Sequence, residues 1–162
     1  MIHQHKITPQ IKKMNKKEKA SCYKILIVES NVVLRKGLGR LLNHENDIMA
    51  CGYADSANKA LSFIESNAPD LVITDIYIQG YSSVHLIKEI KKSHPHIPVL
   101  VLSMHEKSLY AKLAIKAGAM GYITAQEDSE TIIEVIRKIL EGGTYTSINL
   151  TESINDMPLF PV

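Results

Sequence analysis

Short apolar runs alternate with segments of helical periodicity from residue 23 to residue 143. The apolar runs predict five strands, at 24–29, 48–53, 70–75, 97–103 and 120–124. Apolar positions spaced three and four residues apart predict five helices, at 31–43, 56–66, 84–92, 108–116 and 129–140. Strands that alternate with helices over short connections are typical of a parallel sheet covered by helices on both faces. The pattern therefore predicts a doubly wound α/β fold.

Polar residues follow the apolar part of four predicted strands. These residues are Glu29, Ser30, Asp75, Ser103 and Thr124. The small residue Ala125 follows Thr124 at the end of the last strand. The carboxyl ends of parallel strands meet at one rim of the sheet, where ligands of such folds bind. Asp75 is the strongest candidate because it follows an apolar strand and precedes a glycine-containing loop. A carboxylate there can accept a phosphoryl group, hold a metal ion or cap the next element.

Length and composition narrow the class of protein. A chain of 162 residues, 45% of them hydrophobic, is long enough for one domain with a short appendage. Its longest apolar runs have about four residues, against the roughly 20 that a membrane helix needs, so we expect no membrane contact. Cys22 and Cys51 have neither CxxC nor zinc-ligand spacing. We interpret the chain as reduced and cytoplasmic.

Charge is unevenly distributed along the chain. Residues 1–22 contain six lysines and one glutamate, a net charge of +5, and the remaining 140 residues have a net charge of −3. We therefore expect residues 1–22 to form a basic, disordered leader. A weak contact with nucleic acid or an anionic surface is the alternative for this leader. Translation can begin at Met1 or at Met14, and the sequence leaves both open.

Residues 23–147 resemble the receiver domain of two-component response regulators, and the resemblance is closest to the LuxR/NarL-type subfamily. Four segments carry it, in the family's order and spacing: ILIVES at 25–30, PDLVITDIYIQG at 69–80, HIPVLVLSMHE at 96–106 and AIKAGAMGYIT at 114–124. The resemblance implies a flavodoxin-like (βα)5 fold with strand order 2-1-3-4-5. It also implies a signalling module, not an enzyme, in which phosphorylation of one Asp shifts an equilibrium between two conformers.

The resemblance assigns a role to each residue that matches the family's site. Asp75 matches the phosphoacceptor, and Ser103 matches the hydroxyl residue that hydrogen-bonds the phosphoryl group. Tyr122 matches the switch aromatic, which turns inward when that hydroxyl moves. Glu29, Asp75 and the backbone carbonyl of Tyr77 match the ligands of a Mg²⁺ ion.

Two departures from the family pattern matter most. Ser30 stands where the family has a second acid that usually binds Mg²⁺, and Ala125 stands where it has a lysine that contacts the phosphoryl group. Loss of the acid weakens the metal site, and loss of the lysine removes a charged hydrogen bond of about 1.5–3 kcal/mol. The usual Pro-Gly turn is also altered, to Gln79-Gly80. We therefore predict weakened Mg²⁺ binding and absent or inefficient phosphorylation.

The predicted receiver domain covers residues 23–143, followed by a tail at 144–162. The 19 residues of the tail are too few for a helix-turn-helix domain of roughly 50 residues, so we expect no sequence-specific DNA binding. The expected partner is a protein: a histidine kinase, a phosphotransfer protein or another regulator. A homodimer through the fourth helix, fifth strand and fifth helix is a further expectation. That face includes Leu109, Tyr110, Leu113, Lys116, Tyr122 and Arg137.

Three functions remain open from the sequence. The first, favoured by Ser30 and Ala125, is a stand-alone atypical receiver that acts as a signalling protein-interaction module. The second is an active receiver in a phosphorelay, accepting phosphate on Asp75 from a histidine kinase or phosphotransfer protein. The third is a truncated transcription regulator that lacks its helix-turn-helix domain.

Overall fold

Apolar strands of the chain pair side by side in a parallel sheet. The computed structural model describes residues 21–150, so the expectations for residues 1–20 and 151–162 lie outside the described part. In chain order the strands are β1 (Tyr23–Val28), β2 (Ile48–Ala54), β3 (Leu71–Thr74), β4 (Tyr77–Ile78), β5 (Tyr81–Ser82), β6 (Val99–Ser103), β7 (Gly121–Thr124) and β8 (Tyr145–Thr146). The main sheet has the order β2-β1-β3-β6-β7-β8, with parallel pairing throughout. Its first five strands confirm the flavodoxin-like fold and the order 2-1-3-4-5.

Five amphipathic helices connect and flank these strands. They are α1 (Val32–Asn43), α2 (Ala57–Asn67), α3 (Val84–Ser93), α4 (Ser108–Ala117) and α5 (Ser129–Leu140). The side chain of Asn31 caps α1 by accepting hydrogen bonds from two backbone N–H groups of the first turn. Gly118, at φ +115°, ends α4 in the left-handed conformation that glycine adopts without strain. Within residues 21–150, every helix falls short of the length and apolarity that crossing a bilayer requires.

The sheet separates two hydrophobic layers. Alternate residues of β1 point to opposite faces, and Leu26 and Val28 pack with α2, α3 and α4, whereas Ile25 and Ile27 pack with α1 and α5. All four side chains are buried. This double coverage explains why the strand sequence is continuously apolar, and it leaves the carboxyl rim of the sheet as the place where polar groups can gather.

The structure adds short strands that the hydrophobic pattern did not predict. β4 and β5 form an antiparallel hairpin in the loop after β3. β8 adds a sixth strand to the main sheet, where the N–H of Tyr145 donates to Met120 O (3.2 Å) and that of Ser147 to Tyr122 O (3.0 Å). Ile148 and Leu150 then pack against the core. The expected boundary at residue 143 is therefore too early, because the fold continues to residue 150.

Candidate functional site

The polar residues at the strand ends meet at one rim. The register pairs Val28 of β1 with Thr74 of β3, so Glu29 and Asp75 emerge side by side from adjacent strands. The backbone N–H of Asp75 donates to Val28 O at 3.3 Å. β6 continues this arrangement and brings Ser103 to the same edge. The convergence expected from the strand-end rule is confirmed, while the chemical roles of these residues stay predictions.

Asp75 is a half-buried carboxylate held by its neighbours. Its Oδ1 accepts a hydrogen bond from the N–H of Ile76 at 2.6 Å, and the hydroxyl of Ser103 lies near enough to lower the pKa of the carboxylate. Burial raises the pKa of Asp75 above its usual range, and these two groups and the nearby His105 oppose the rise. The geometry expected for a phosphoacceptor beside a hydroxyl group is therefore present.

Glu29 supplies the second carboxylate of the rim. Its Oε1 accepts a hydrogen bond from the N–H of Asn31 at 2.8 Å. Burial raises the pKa of Glu29, and the negative charge of Asp75 raises it further. The guanidinium of Arg35 lowers this pKa, but it donates to the backbone carbonyl of Glu29 (2.7 Å) and not to the carboxylate. Two acidic side chains therefore lie near each other at the rim, and no hydrogen bond from Arg35 neutralises the carboxylate of Glu29 directly.

Ser30 contacts the altered turn. Its hydroxyl accepts a long hydrogen bond of 3.4 Å from the N–H of Gln79. Gln79 has φ +52°, a left-handed conformation that is uncommon for a residue other than glycine, and Gly80 follows at φ +80°. Ser30 thus helps to hold the hairpin turn, but its uncharged hydroxyl does not replace the metal-binding carboxylate that the family pattern has at this position.

The rim offers an oxygen-rich but reduced set of metal ligands. Two carboxylates, from Glu29 and Asp75, and the backbone carbonyl of Tyr77 are groups that a hard cation such as Mg²⁺ accepts. Within residues 21–150, no group of three or more His, Cys, Asp or Glu side chains lies close enough together to hold a metal ion. The donor chemistry of these groups fits Mg²⁺, and the strength of the site stays a prediction.

Ala125 lies beside the rim at the position expected for a lysine. Its N–H donates to Ser103 O at 2.8 Å, which continues the pairing of β6 with β7. Its methyl group lines an apolar cavity of about 340 Å³, and Glu29 and Asp75 line the same cavity. An alanine methyl group has no donor for a phosphoryl oxygen. The sequence identified this substitution, but the cavity next to it was not predicted.

Tyr122 is fully buried in the strand β7. Its hydroxyl donates to the backbone carbonyl of His105 at 2.6 Å, in the loop that follows β6. Burial raises the pKa of Tyr122 to about 12. The ring therefore lies inward and contacts the segment next to Ser103. Its role as the switch aromatic stays a prediction.

The sequence pattern did not predict an aromatic cluster that lies next to the rim. The rings of Tyr77, His105 and Tyr110 lie with centroids 5.1–5.7 Å apart, in edge-on and tilted contacts. The cluster joins the loop after β3 to the loop after β6 and to α4. These residues are up to 33 positions apart along the chain, so no local pattern could have shown that they meet.

Comparisons with known proteins agree with this geometry. The response regulator receiver domain family matches residues 25–137. The transcriptional regulatory protein DegU of Brevibacillus brevis is 26% identical over 141 residues, which cover 87% of this chain and 60% of that protein. The oxygen regulatory protein NreC of Staphylococcus epidermidis is 30% identical over 132 residues, covering 81% of this chain and 61% of that protein. The chain thus spans about three-fifths of the length of these relatives.

A solved structure shows the same similarity in three dimensions. The two-component response regulator of the LuxR family from Aurantimonas sp. SI85-9A1 superposes with a TM-score of 0.76 at 26% identity. The match covers 84% of this chain and 97% of that chain. The parallel sheet, the acidic rim and these similarities lead to one assignment: the chain belongs to the response-regulator receiver family of two-component systems, and it is of the LuxR/NarL/DegU type.

Proposed function

We propose that this chain is an atypical receiver that acts as a signalling protein-interaction module, with absent or inefficient phosphorylation of Asp75. The observation that carries the proposal is the composition of the rim. Asp75 and Glu29 converge there, but Ser30 and Ala125 occupy the positions of a second acid and a lysine. The rim therefore keeps the acceptor and loses part of the charge that would balance a phosphoryl group.

The chemical argument is one of charge neutralisation. Phosphoryl transfer depends on cations that balance the charge of the transferred group. A bound Mg²⁺, held by Glu29, Asp75 and the Tyr77 carbonyl, would supply part of this charge. The uncharged Ser30 weakens that site, and Ala125 offers no donor to a phosphoryl oxygen. Loss of a charged hydrogen bond of about 1.5–3 kcal/mol lowers the population of the phosphorylated state by roughly 10- to 150-fold.

A second candidate is an active receiver that takes phosphate on Asp75 from a histidine kinase or phosphotransfer protein. The position of Ser103 favours it, because its hydroxyl lies at the same strand-end rim as the Asp75 carboxylate and lowers the pKa of that group. Glu29 also keeps one of the expected acids at the rim.

The proposed partner is a protein of the same signalling class: a histidine kinase, a phosphotransfer protein or another regulator, in the cytoplasm. The face of α4, β7 and α5 is the proposed contact surface, including that of a homodimer. Two residues expected on this face are not available for a partner. Tyr122 is buried, and Arg137 forms an ion pair with Asp47. β8 also pairs with the edge of β7. The proposed contact therefore uses α4, where Lys116 is exposed, and the segment 145–150.

The experiment is the intact mass of the full chain after incubation with acetyl phosphate and Mg²⁺. We expect no added phosphoryl group, or a small fraction, from a protein whose circular dichroism shows that it is folded. An Asp75→Ala variant is the control for modification at other sites. Stoichiometric labelling that disappears in this control would contradict the proposal and support the active receiver.

A gain-of-function variant tests the cause. The double substitution Ser30→Asp with Ala125→Lys restores the acid and the lysine at the rim, and we expect Mg²⁺-dependent labelling at least tenfold above that of the wild type. A folded double variant that stays unlabelled would show that the two residues do not explain the inactivity. The turn at Gln79-Gly80 would then be the next candidate.

A further inference from the structure

The cavity next to the rim has the size and lining of a small-molecule site. Its volume of about 340 Å³ lies within the range of ligand pockets. Val33, Leu34 and Leu38 of α1 form one wall, and Leu102 of β6 and Ile132 of α5 lie on the others. The cavity lies on the α1 and α5 side of the sheet, and the core residues Ile27 and Ile73 also line it.

The charge of the cavity is confined to one end. Glu29 and Asp75 line it at the rim, and none of the described lining residues is Lys, Arg or His. The nearby guanidinium of Arg35 is directed to the backbone carbonyls of Glu29 and Ser30 and does not line the cavity. Two partly buried carboxylates next to apolar walls repel anions and favour a cation that also has an apolar body.

Two small residues keep the cavity open. Ala125 places only a methyl group in the wall beside the carboxylates. Gly37 lies on the α1 side, and a Cβ atom at this position would have no atom within 4 Å, so there is space for a ligand. The entrance is apolar and accessible, since Val33 is 79% exposed and Met104 is 53% exposed. A ligand would remove these side chains from water.

We propose that this cavity binds a small amphipathic cation, a compound with an ammonium or amidinium head and an apolar body of about the size of a phenylalkyl group. The head lies between Glu29 and Asp75, and the body lies against α1 and α5. Binding requires neither phosphate nor Mg²⁺, so this inference is independent of the proposed phosphorylation behaviour. Its ligand would occupy the position next to Asp75 that a phosphoryl group would otherwise use.

The test is a titration of the ¹⁵N-labelled full chain, followed by NMR, without Mg²⁺ or a phosphodonor. The probe is 2-phenylethylamine, compared with neutral 2-phenylethanol, anionic 3-phenylpropionate and polar methylammonium. We expect the amine to shift the amide signals of Glu29, Val33 and Ala125 and to bind at least tenfold more tightly than each comparison compound. Equal affinity for the amine and the alcohol would overturn the proposal. Methylammonium binding as tightly as the amine would also overturn it, because the apolar cavity would then contribute nothing.

Variants locate the site. Gly37→Leu, which places a side chain over the cavity, should reduce amine binding at least tenfold, whereas Lys36→Leu on the same helix should not. Ala125→Lys, which puts an ammonium group beside the carboxylates, is a second blocking variant if Gly37→Leu does not fold. Retained binding in a folded blocking variant would overturn the proposal.

A charge variant tests the role of the carboxylates. Glu29→Gln keeps the shape of the side chain and should weaken the binding of the amine at least tenfold while leaving that of 2-phenylethanol unchanged. Glu65→Gln on α2, which lies on the other face of the sheet, is the matched control and should change neither affinity. An equal effect of the two substitutions would contradict a direct role of Glu29.

Discussion

At the scale of residues, burial at the rim disfavours the charged forms of two carboxylates. Asp75 and Glu29 are both partly buried, and each has a pKa that burial raises above the usual range. Such a shift means that the folded state binds protons more tightly than the unfolded state does. Carboxylates whose pKa values are raised by burial do not stabilise the fold at neutral pH, and they cluster at functional sites.

The substitution Asp75→Asn is expected to stabilise the protein at pH 7. Because the folded pKa of Asp75 is raised from 3.8, its contribution to stability is fully present below about pH 3.8 and is lost as pH rises through the folded pKa. The gain from the neutral amide should therefore be largest at pH 7 and should disappear at acidic pH. Urea unfolding at pH 7 and at about pH 3 measures this difference. A variant that is no more stable than the wild type at pH 7 would contradict it.

Asp47→Asn is the matched control, with the opposite sign. The hydrogen bond from Arg137 holds the pKa of Asp47 below its usual range. Its stabilising contribution is present above the unfolded pKa and is lost as pH falls through the folded pKa. The control should therefore be less stable than the wild type at pH 7, by an amount that decreases towards acidic pH.

At the scale of elements, one side chain connects α5 to the loop between α1 and β2. The guanidinium of Arg137 donates to both carboxylate oxygens of Asp47, at 2.9 and 2.8 Å, and to Glu45 at 2.7 Å. The planar guanidinium matches a carboxylate with two parallel hydrogen bonds, which a lysine ammonium does not reproduce. Helix α5 is thus held by an ion-pair network at its polar side as well as by its apolar face.

Arg137→Lys should lower the free energy of unfolding by about 0.5–1 kcal/mol at low salt. The value is small because the Arg137 side chain is 39% exposed and water screens the pair. The loss should decrease in 1 M NaCl, where the Debye length is about 3 Å. Chemical denaturation with urea at both salt concentrations measures it. Lys59→Ala, which removes an exposed pair with Asp55, is the control and should cost less; an equal or larger cost would contradict the importance of the Arg137 network.

At the scale of the whole molecule, the fold is a sheet between two hydrophobic layers, extended by β8. The strand covers the edge of β7, and a Cβ atom on Gly121 would lie 3.0 Å from Tyr145 O, so a side chain at this position would crowd the pairing. The same segment also hydrogen-bonds Thr124, whose backbone N–H donates to the Ser147 hydroxyl at 3.1 Å. The segment 145–150 is therefore an integral part of the described fold.

A chain that ends at Gly143 should be less stable than one that ends at Leu150 by about 2–4 kcal/mol. The shorter chain loses the β8 hydrogen bonds and the packing of Ile148 and Leu150, at about 1 kcal/mol per hydrogen bond and 25 cal/mol per Å² of apolar surface. Guanidinium unfolding of the two truncated chains gives the difference. Equal midpoints and slopes would show that β8 contributes nothing to the fold.

The sequence alone determined the five main strands, the five helices and the rim. These are local properties, because periods of two and 3.6 residues and capping residues such as Asn31 are present in short windows of the chain. Because parallel strands end at one edge of a sheet, the positions of these strands then predicted that Asp75, Ser103 and Glu29 lie close together. Ser30 and Ala125 were recognised as departures because they occupy known positions within matching segments.

Only the tertiary structure decided which distant segments contact each other and where a cavity remains between them. The strands β4, β5 and β8 have two residues each and therefore show no alternation in the sequence. Arg137 and Asp47 are 90 positions apart, and the rings of Tyr77 and His105 meet across two loops. The cavity beside Ala125 is formed where α1, α5 and the sheet fail to close completely. Such contacts and spaces depend on the packing of complete elements, which no short stretch of sequence encodes.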